Sequence, residues 1–177
     1  MTRRNFKFMC VAILISVISA PCHAISVGDG LKISYIYKFL NFIVWPEETF
    51  SSDDQPFKMC LAMDDEYFNA AHKLLTDKKN KNRSIRVEQI SGNSKLESCQ
   101  LIFISSSKPK IKKSLKALNR GASVLTISDL QNFISDGGMI GFVLKDNKLR
   151  FKVNLSLIQS KKIKVDSRLL TLALEVF

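Results

Sequence analysis

The chain has 177 residues, of which 46% are hydrophobic, and a formal net charge of +11. It contains no low-complexity tract and no internal repeat, and its apolar content is sufficient for one folded core, so a disordered or repeat architecture is excluded. The Lys and Arg residues are clustered without interleaved aromatic residues. This pattern argues against a protein that binds single-stranded nucleic acid.

Residues 1–24 have the three parts of a secretory signal peptide. Basic residues precede an apolar run at residues 8–20, which is too short for a membrane span of about 20 residues. Cys22 and Ala24 supply small residues at the −3 and −1 positions of a cleavage site. We expect export to the periplasm and a mature domain of residues 25–177. The alternative is a lipoprotein that is acylated at Cys22.

Export changes what the charge indicates. Removing residues 1–24 takes away three basic residues and no acidic one, which lowers the net charge from +11 to +8. In the periplasm this charge would attract phospholipid head groups, cell-wall polymers, small phosphates or an acidic protein face. A solvated basic surface without a specific partner is the alternative.

Two cysteines follow residue 24, Cys60 and Cys99. In an exported chain they are expected to form a disulfide bond, and two buried free thiols are the alternative. The bond would close a loop of about 40 residues. The spacing of the two cysteines does not fit a C-x-x-C redox motif. It therefore favours a structural disulfide bond over a catalytic one.

Residues 31–45 predict an opening helix that Pro46 ends. The polar residues Ser34, Lys38 and Asn41 fall on one narrow strip of this helix. The helix is therefore either buried on nearly all sides, or its apolar face meets another chain. The candidate contact residues on it are Tyr35, Lys38, Phe39, Phe42 and Trp45.

After residue 46 the sequence predicts strands that alternate with helices. The predicted strands are residues 57–63, 84–90, 99–105 and 122–128. The predicted helices are residues 64–76, 109–119 and 129–135. The third strand is apolar without alternation, which is typical of a strand covered on both faces.

The end of the chain predicts an antiparallel hairpin, residues 139–144 and 149–155, with a tight turn between the strands. Short helices are predicted at residues 156–160 and 167–176. The pattern as a whole predicts an α/β fold. The expected architecture is a single three-layer domain with a mixed, mostly parallel sheet, an opening apolar helix and a C-terminal hairpin plus helices.

The sequence carries no residues with the spacing of a known catalytic motif. His72 is the one histidine after residue 24, and there is no Walker-type phosphate loop, no G-x-S-x-G and no G-x-G-x-x-G. A zinc site is not expected without a second histidine or an acidic cluster. We therefore expect no enzyme activity, no metal and no cofactor.

Polar residues at two places are candidates for binding a small anionic ligand. Ser105 and Ser106 follow the third strand, where hydroxyl and amide groups can line a crevice. Arg150 and Asn154 lie in and just after the hairpin. The structural alternatives are a helix-capping loop for the serines, a surface position for the arginine and a buried, hydrogen-bonded position for the asparagine.

Three stretches of the sequence resemble one known family. They are Tyr37-Lys38-Phe39 with Phe42 and Trp45-Pro46, Val124-Leu125-Thr126-Ile127-Ser128-Asp129 with Gly137-Gly138-Met139-Ile140, and Leu149-Arg150-Phe151 with Val153-Asn154-Leu155. In this order, and over nearly the whole mature chain, they resemble the YfiR family of periplasmic regulators.

The resemblance implies a secreted repressor that binds the periplasmic sensor domain of an inner-membrane diguanylate cyclase. Such binding lowers cyclic-di-GMP signalling and biofilm formation. It also implies a homodimer, and it gives the Cys60–Cys99 bond a regulatory meaning. We expect the partner to contact the opening helix and the exposed part of the C-terminal helix. The candidate residues on the C-terminal helix are Leu169, Leu172 and Val176.

A periplasmic sensor that binds a small ligand is the alternative function. The two functions differ in the surface that they need. A repressor needs an uncovered apolar patch for its protein partner, whereas a sensor needs a closed, concave pocket with converging polar groups.

Overall fold

The computed structural model describes residues 27–91, 95–118 and 122–177. The expected signal peptide, its cleavage site and Cys22 lie outside the described residues. The helices are α1 (Val27–Phe39), α2 (Asp65–Leu75), α3 (Lys112–Leu118), α4 (Leu155–Ser160) and α5 (Ser167–Leu172). The strands are β1 (Ile43–Val44), β2 (Phe57–Ala62), β3 (Lys79–Asn80), β4 (Arg83–Gln89), β5 (Leu101–Ile104), β6 (Leu125–Ser128), β7 (Ile140–Lys145), β8 (Lys148–Val153), β9 (Lys164–Val165) and β10 (Glu175–Val176). No helix in these ranges is long and apolar enough to cross a membrane.

Eight of the described strands form one mixed sheet in the order β10-β8-β7-β6-β5-β2-β4-β3. The pairs β3–β4 and β7–β8 are antiparallel, and the other neighbours are parallel. This confirms the predicted mixed, mostly parallel sheet with a C-terminal hairpin. The strands β1 and β9 pair separately and antiparallel, with Ile43 opposite Val165.

The central strands divide the core into two layers because their side chains alternate between the two faces of the sheet. In β5, Leu101 and Phe103 pack in the cluster that includes residues of α1 and α2. Ile102 and Ile104 pack in the cluster that includes residues of α3. All four side chains are at most 1% exposed. The strand is therefore covered on both faces, as its apolar sequence predicts.

The turn of the β7–β8 hairpin consists of Asp146 and Asn147. Their φ angles are 51° and 55°. A two-residue turn of type I′ requires positive φ at both central positions, and Asn and Asp adopt it more readily than most residues. The predicted hairpin is confirmed.

The opening helix ends earlier than the predicted residues 31–45. The α-helix stops at Phe39, a 3-10 turn covers Leu40–Phe42, and Ile43–Val44 is extended. The β-branched side chains favour extended backbone, and pairing with β9 supplies the hydrogen bonds that the helix would have made. Pro46 further restricts the residue before it to extended conformations.

Residues 129–135 form turns, so the short helix predicted there is wrong. The hydroxyl oxygen of Ser128 accepts the Leu130 N–H at 3.0 Å, and Asn132 has a φ of 61°. A side-chain acceptor of this kind competes with helical hydrogen bonding, and a left-handed residue interrupts a right-handed helix.

The helix predicted at residues 167–176 is also shorter in the structure. It ends at Leu172, and Glu175–Val176 adds to the sheet as a strand parallel to β8. The N–H groups of Leu174 and Phe177 donate to carbonyls of β8 at 2.8 and 2.9 Å. The open edge of β8 therefore supplies hydrogen bonds to this segment in place of a further helical turn.

We expect Gly138→Ala to lower the free energy of unfolding by about 1–3 kcal/mol, the usual cost of overpacking a core. A Cβ atom at this position would lie 2.3 Å from two carbons of the Phe133 ring, and Phe133 is itself 2% exposed. Urea unfolding measures the change. The matched control is Gly141→Ala, where the new Cβ lies 3.1 Å from the flexible Ile134 side chain. An equal loss in both variants would contradict the role of the Phe133 contact.

Candidate functional site

Three of the predicted contact residues are part of the core. Phe39, Trp45 and Leu169 are 3%, 7% and 1% exposed. The centroid of the Phe39 ring lies 4.8 Å from that of Phe151, and Trp45 Nε1 donates to the carbonyl of Gln100 at 3.0 Å. These side chains hold α1, β1 and α5 against the sheet. Because they are buried in this way, these three side chains are left out of the contact surface considered below.

The other predicted contact residues are accessible to different degrees. Lys38 and Leu172 are exposed, and Tyr35 and Phe42 are half-buried. Val176 is 44% exposed on the edge strand β10. These five side chains are the part of the predicted contact set that a partner could reach.

The pairing of β1 with β9 places the end of the opening segment beside α5. The Asp166 N–H donates to the Phe42 carbonyl at 2.8 Å, and the Arg168 guanidinium lies 5.5 Å from the centroid of the Phe42 ring. Leu172 is one helical turn after Arg168 and shares its side of α5. Val44, whose position faces Lys164 of β9, is 43% exposed. We call Phe42, Val44, Arg168 and Leu172 the helix-end surface.

An ion pair fixes the cation of this surface. Asp166 accepts hydrogen bonds from Arg168 Nε at 3.1 Å and Nη2 at 2.7 Å. Its carboxylate also caps α5 by accepting the Arg168 N–H at 2.8 Å. These hydrogen bonds from Arg168 lower the pKa of Asp166 to about 2, so the carboxylate is charged at neutral pH. The guanidinium is thereby held over the Phe42 ring.

A groove of about 910 Å³ lies at the carboxyl ends of β5 and β6. Asp129, directly after β6, accepts the Ser106 N–H at 2.6 Å and the Lys32 ammonium at 2.5 Å. The Lys32 and Asp129 side chains are 17% and 10% exposed. The groove therefore contains a carboxylate that is already neutralised by a cation from α1.

The groove includes only part of the predicted ligand site. Ser106 and Asn154 line it, whereas Ser105 is buried behind the loop and Arg150 is exposed on the hairpin. The Asn154 side chain accepts the Leu157 N–H at 3.0 Å and caps α4. Asn154 is therefore hydrogen-bonded to the backbone but only half-buried.

Sequence reasoning missed Lys32 and Asp129. The position of Asp129 directly after a buried strand, like that of the serines after β5, was the available signal. Lys32 gave no such signal, because the two partners are 97 residues apart.

Cys60 and Cys99 form the predicted disulfide bond. Cys60 belongs to β2, and Cys99 lies just before the neighbouring strand β5. Both are buried, at 0% and 2% exposure. The bond therefore crosslinks two strands inside the core layer that α3 covers.

The described residues contain no group of three or more His, Cys, Asp or Glu side chains that could hold a metal ion. His72 is exposed on α2, with its ring 6.0 Å from that of Phe68. It lies outside both the groove and the helix-end surface.

The structure is that of an α/β protein with a mixed sheet, in which the C-terminal segment holds the opening helix. Comparison with family models matches residues 29–174 to the YfiR/HmsC-like family, DUF4154, and the chain belongs to this family. The match confirms the resemblance seen in the sequence. A search of curated proteins finds no match.

Proposed function

We propose that this protein is a periplasmic repressor that binds the periplasmic domain of an inner-membrane diguanylate cyclase. Its membership of the YfiR/HmsC-like family over residues 29–174 carries the proposal. The bound cyclase would make less cyclic-di-GMP, and biofilm formation would fall. Export through the signal peptide at residues 1–24 and a homodimeric state belong to the same proposal.

The repressor would act by shifting the conformational equilibrium of the cyclase. It must bind the inactive conformation of the periplasmic domain more tightly than the active one. Shifting the receptor from almost fully active to almost fully inactive takes a difference in binding free energy of about 5.5 kcal/mol. A protein interface with a few well-packed anchor residues can supply a difference of this size.

The helix-end surface supplies residues of the type that anchors protein interfaces. Aromatic and Arg side chains are enriched among such anchors, and here the Arg168 guanidinium lies over the Phe42 ring. Val44 and Leu172 add apolar side chains that are 43% and 59% exposed. We propose this surface as the contact with the cyclase.

We expect the double variant Val44→Asp and Leu172→Asp to weaken binding to the cyclase by at least about 100-fold, because two apolar contacts are replaced by desolvated charges. The measurement is capture of diguanylate cyclases from inner membranes by immobilised residues 25–177, followed by titration of the captured periplasmic domain. Leu74→Asp is the matched control, since Leu74 is 46% exposed on α2.

The outcomes separate the parts of the proposal. If the wild type captures no cyclase, the repressor function is wrong. If the double variant folds and binds as the wild type does, the contact lies elsewhere. Circular dichroism checks that each variant is folded.

A small-ligand sensor has weaker support. Such a protein needs an enclosed pocket with converging polar groups. The groove at Ser106 is open to solvent, and its carboxylate Asp129 is already paired with Lys32. We therefore place protein binding before ligand binding.

A further inference from the structure

The strand β7 extends beyond its neighbour β6. The last residues that pair between them are Ser128 and Gly141, whereas β7 continues to Lys145. Among the described strands, none lies beside residues 142–145 on this side. The groove lies along this free edge, because Gly141, Phe142, Val143 and Leu144 are among its lining residues.

The backbone of Leu144 directs its hydrogen-bonding groups toward the groove. Lys145 and Lys148 flank the two-residue turn and pair with each other, and pairs in an antiparallel ladder alternate between bonded and non-bonded. The Leu144 N–H and C=O groups therefore point away from β8. The same alternation accounts for Phe151 in β8, whose carbonyl accepts the Leu174 N–H on the far side of the hairpin.

The two faces of the projecting hairpin differ in chemistry. Lys145, Lys148 and Arg150 share one face, and all three are exposed without an acidic partner among the described residues. By contrast, Lys152 on that face pairs with Glu175 at 2.8 Å. One carboxylate, that of Asp146, lies in the turn, so the tip of the hairpin carries a net positive charge.

The opposite face of the hairpin is apolar. Leu144 and Leu149 oppose each other there. Leu144 is 79% exposed, and Leu149 is partly buried against the main core cluster. A strand that lay beside β7 would therefore have cations near its side chains on one face and leucines near those on the other.

We propose that the free edge of β7 binds an extended acidic segment of a protein partner by strand addition. Backbone hydrogen bonds would come from Leu144, and side chains of the bound segment would alternate between acidic and apolar. Acidic side chains would face Lys145 and Arg150, and apolar ones would face Leu144. The inference rests on the proposed function, because the segment would belong to the periplasmic domain of the cyclase and would be a second contact of that domain, besides the helix-end surface.

The first test uses a fluorescein-labelled peptide of about eight residues that alternates Glu and Leu, titrated with residues 25–177 and followed by anisotropy. We expect Leu144→Pro to weaken binding by about tenfold or more, because proline removes the N–H that faces the groove. Proline at residue 144 removes no hydrogen bond to β8, and proline is accommodated in a strand edge where the N–H faces solvent. Leu144→Ala keeps the N–H but also truncates the side chain, so binding that is weaker in Leu144→Pro than in Leu144→Ala measures the loss of the backbone hydrogen bond.

Charge is tested separately. A peptide with Lys in place of Glu should bind about tenfold more weakly or worse, and the variant Lys145→Glu, Lys148→Glu, Arg150→Glu should reverse this preference. The control Lys73→Glu, Lys78→Glu, Lys79→Glu makes the same charge change at exposed positions on α2, just before β3 and at the start of β3. Equal binding of both peptides by the wild type would overturn the proposal. The basic residues of the hairpin would then serve only to prevent other strands from pairing with the free edge of β7.

Amide hydrogen exchange in the wild type tests the edge without relying on the proline variant. We expect the Glu–Leu peptide to slow exchange at Leu144 by about tenfold or more, as for an amide that gains a hydrogen bond. The same peptide with N-methylated backbone should leave the exchange rate unchanged. Unchanged exchange with the unmodified peptide would overturn strand addition.

Capture of the cyclase then separates this inference from the proposed function. Capture that Leu144→Pro weakens by about tenfold or more relative to Leu144→Ala supports strand addition by the cyclase. Capture that the folded Leu144→Pro variant retains overturns it and leaves the repressor function intact. If the wild type captures no cyclase, the repressor function is wrong. The peptide titration then still tests whether the free edge of β7 binds an extended acidic segment.

Discussion

We expect Phe39→Ala to lower the free energy of unfolding by about 3–5 kcal/mol, the usual cost of removing a buried phenylalanine. Phe39 is 3% exposed. Its ring lies 4.8 Å from that of Phe151, 6.0 Å from that of Phe142, and 6.0 Å from that of Tyr35. Urea unfolding followed by the fluorescence of Trp45 measures the loss.

Leu172→Ala is the control for this prediction. Leu172 is 59% exposed, and exposed substitutions usually change stability by less than about 0.5 kcal/mol. A fully stable Phe39→Ala variant that no longer bound the proposed cyclase partner would contradict the core role of Phe39. It would restore Phe39 as a contact residue.

Removal of the disulfide should be about as costly. We expect the double variant Cys60→Ala and Cys99→Ala to lose about 4 kcal/mol of stability in the chain-entropy treatment of a loop of this length, since the two cysteines are 39 residues apart. The closed loop contains α2, β3 and β4, so the unfolded chain gains substantial freedom when the bond is absent. Urea unfolding of the oxidised wild type and of the variant gives the difference.

Reduction of the wild type provides the matching comparison. Because both sulfur-bearing residues are at most 2% exposed, we expect dithiothreitol to reduce the bond quickly only in denaturing urea. The reduced wild type should then unfold at the same urea concentration as the double variant. Rapid reduction of the folded protein would show that the bond is accessible and would support a redox switch.

The elements that the sequence predicted correctly are those with strong local patterns. The apolar run Leu101–Ile104 indicated a doubly covered strand, and all of it is buried. The pair Asp146 and Asn147 marked the hairpin turn, because few other residue types adopt positive φ readily. Asp64 marked the start of α2, although its side chain pairs with Lys108 at 2.6 Å and makes no capping bond.

The errors occur where distant parts of the chain meet. The strands β1, β9 and β10 have two residues each, and they exist only because a partner strand lies beside them. In the local sequence, Ile43–Val44 and Glu175–Val176 therefore look like the ends of helices. The ion pair of Lys32 with Asp129 escaped prediction for the same reason.

The burial of the side chains in the opening segment was only partly predictable. The apolar character of the opening segment indicated extra packing, but periodicity alone does not say whether a side chain meets the core or a partner. The structure places Phe39 and Trp45 in the core and Phe42 and Val44 closer to solvent. The free edge of β7 has no sequence signal, since it depends on where β6 stops.

The attachment of the opening helix to the end of the chain determines when that helix can become stable. Phe39 packs on rings of the β7–β8 hairpin, β1 pairs with β9, and Glu48 accepts Lys162 at 3.2 Å across 114 residues. A chain that emerges N-terminus first from the ribosome or from a translocation channel presents this aromatic segment long before its partners arrive. The opening segment must therefore stay soluble as an unpaired, chaperone-accessible stretch until nearly the whole chain has emerged.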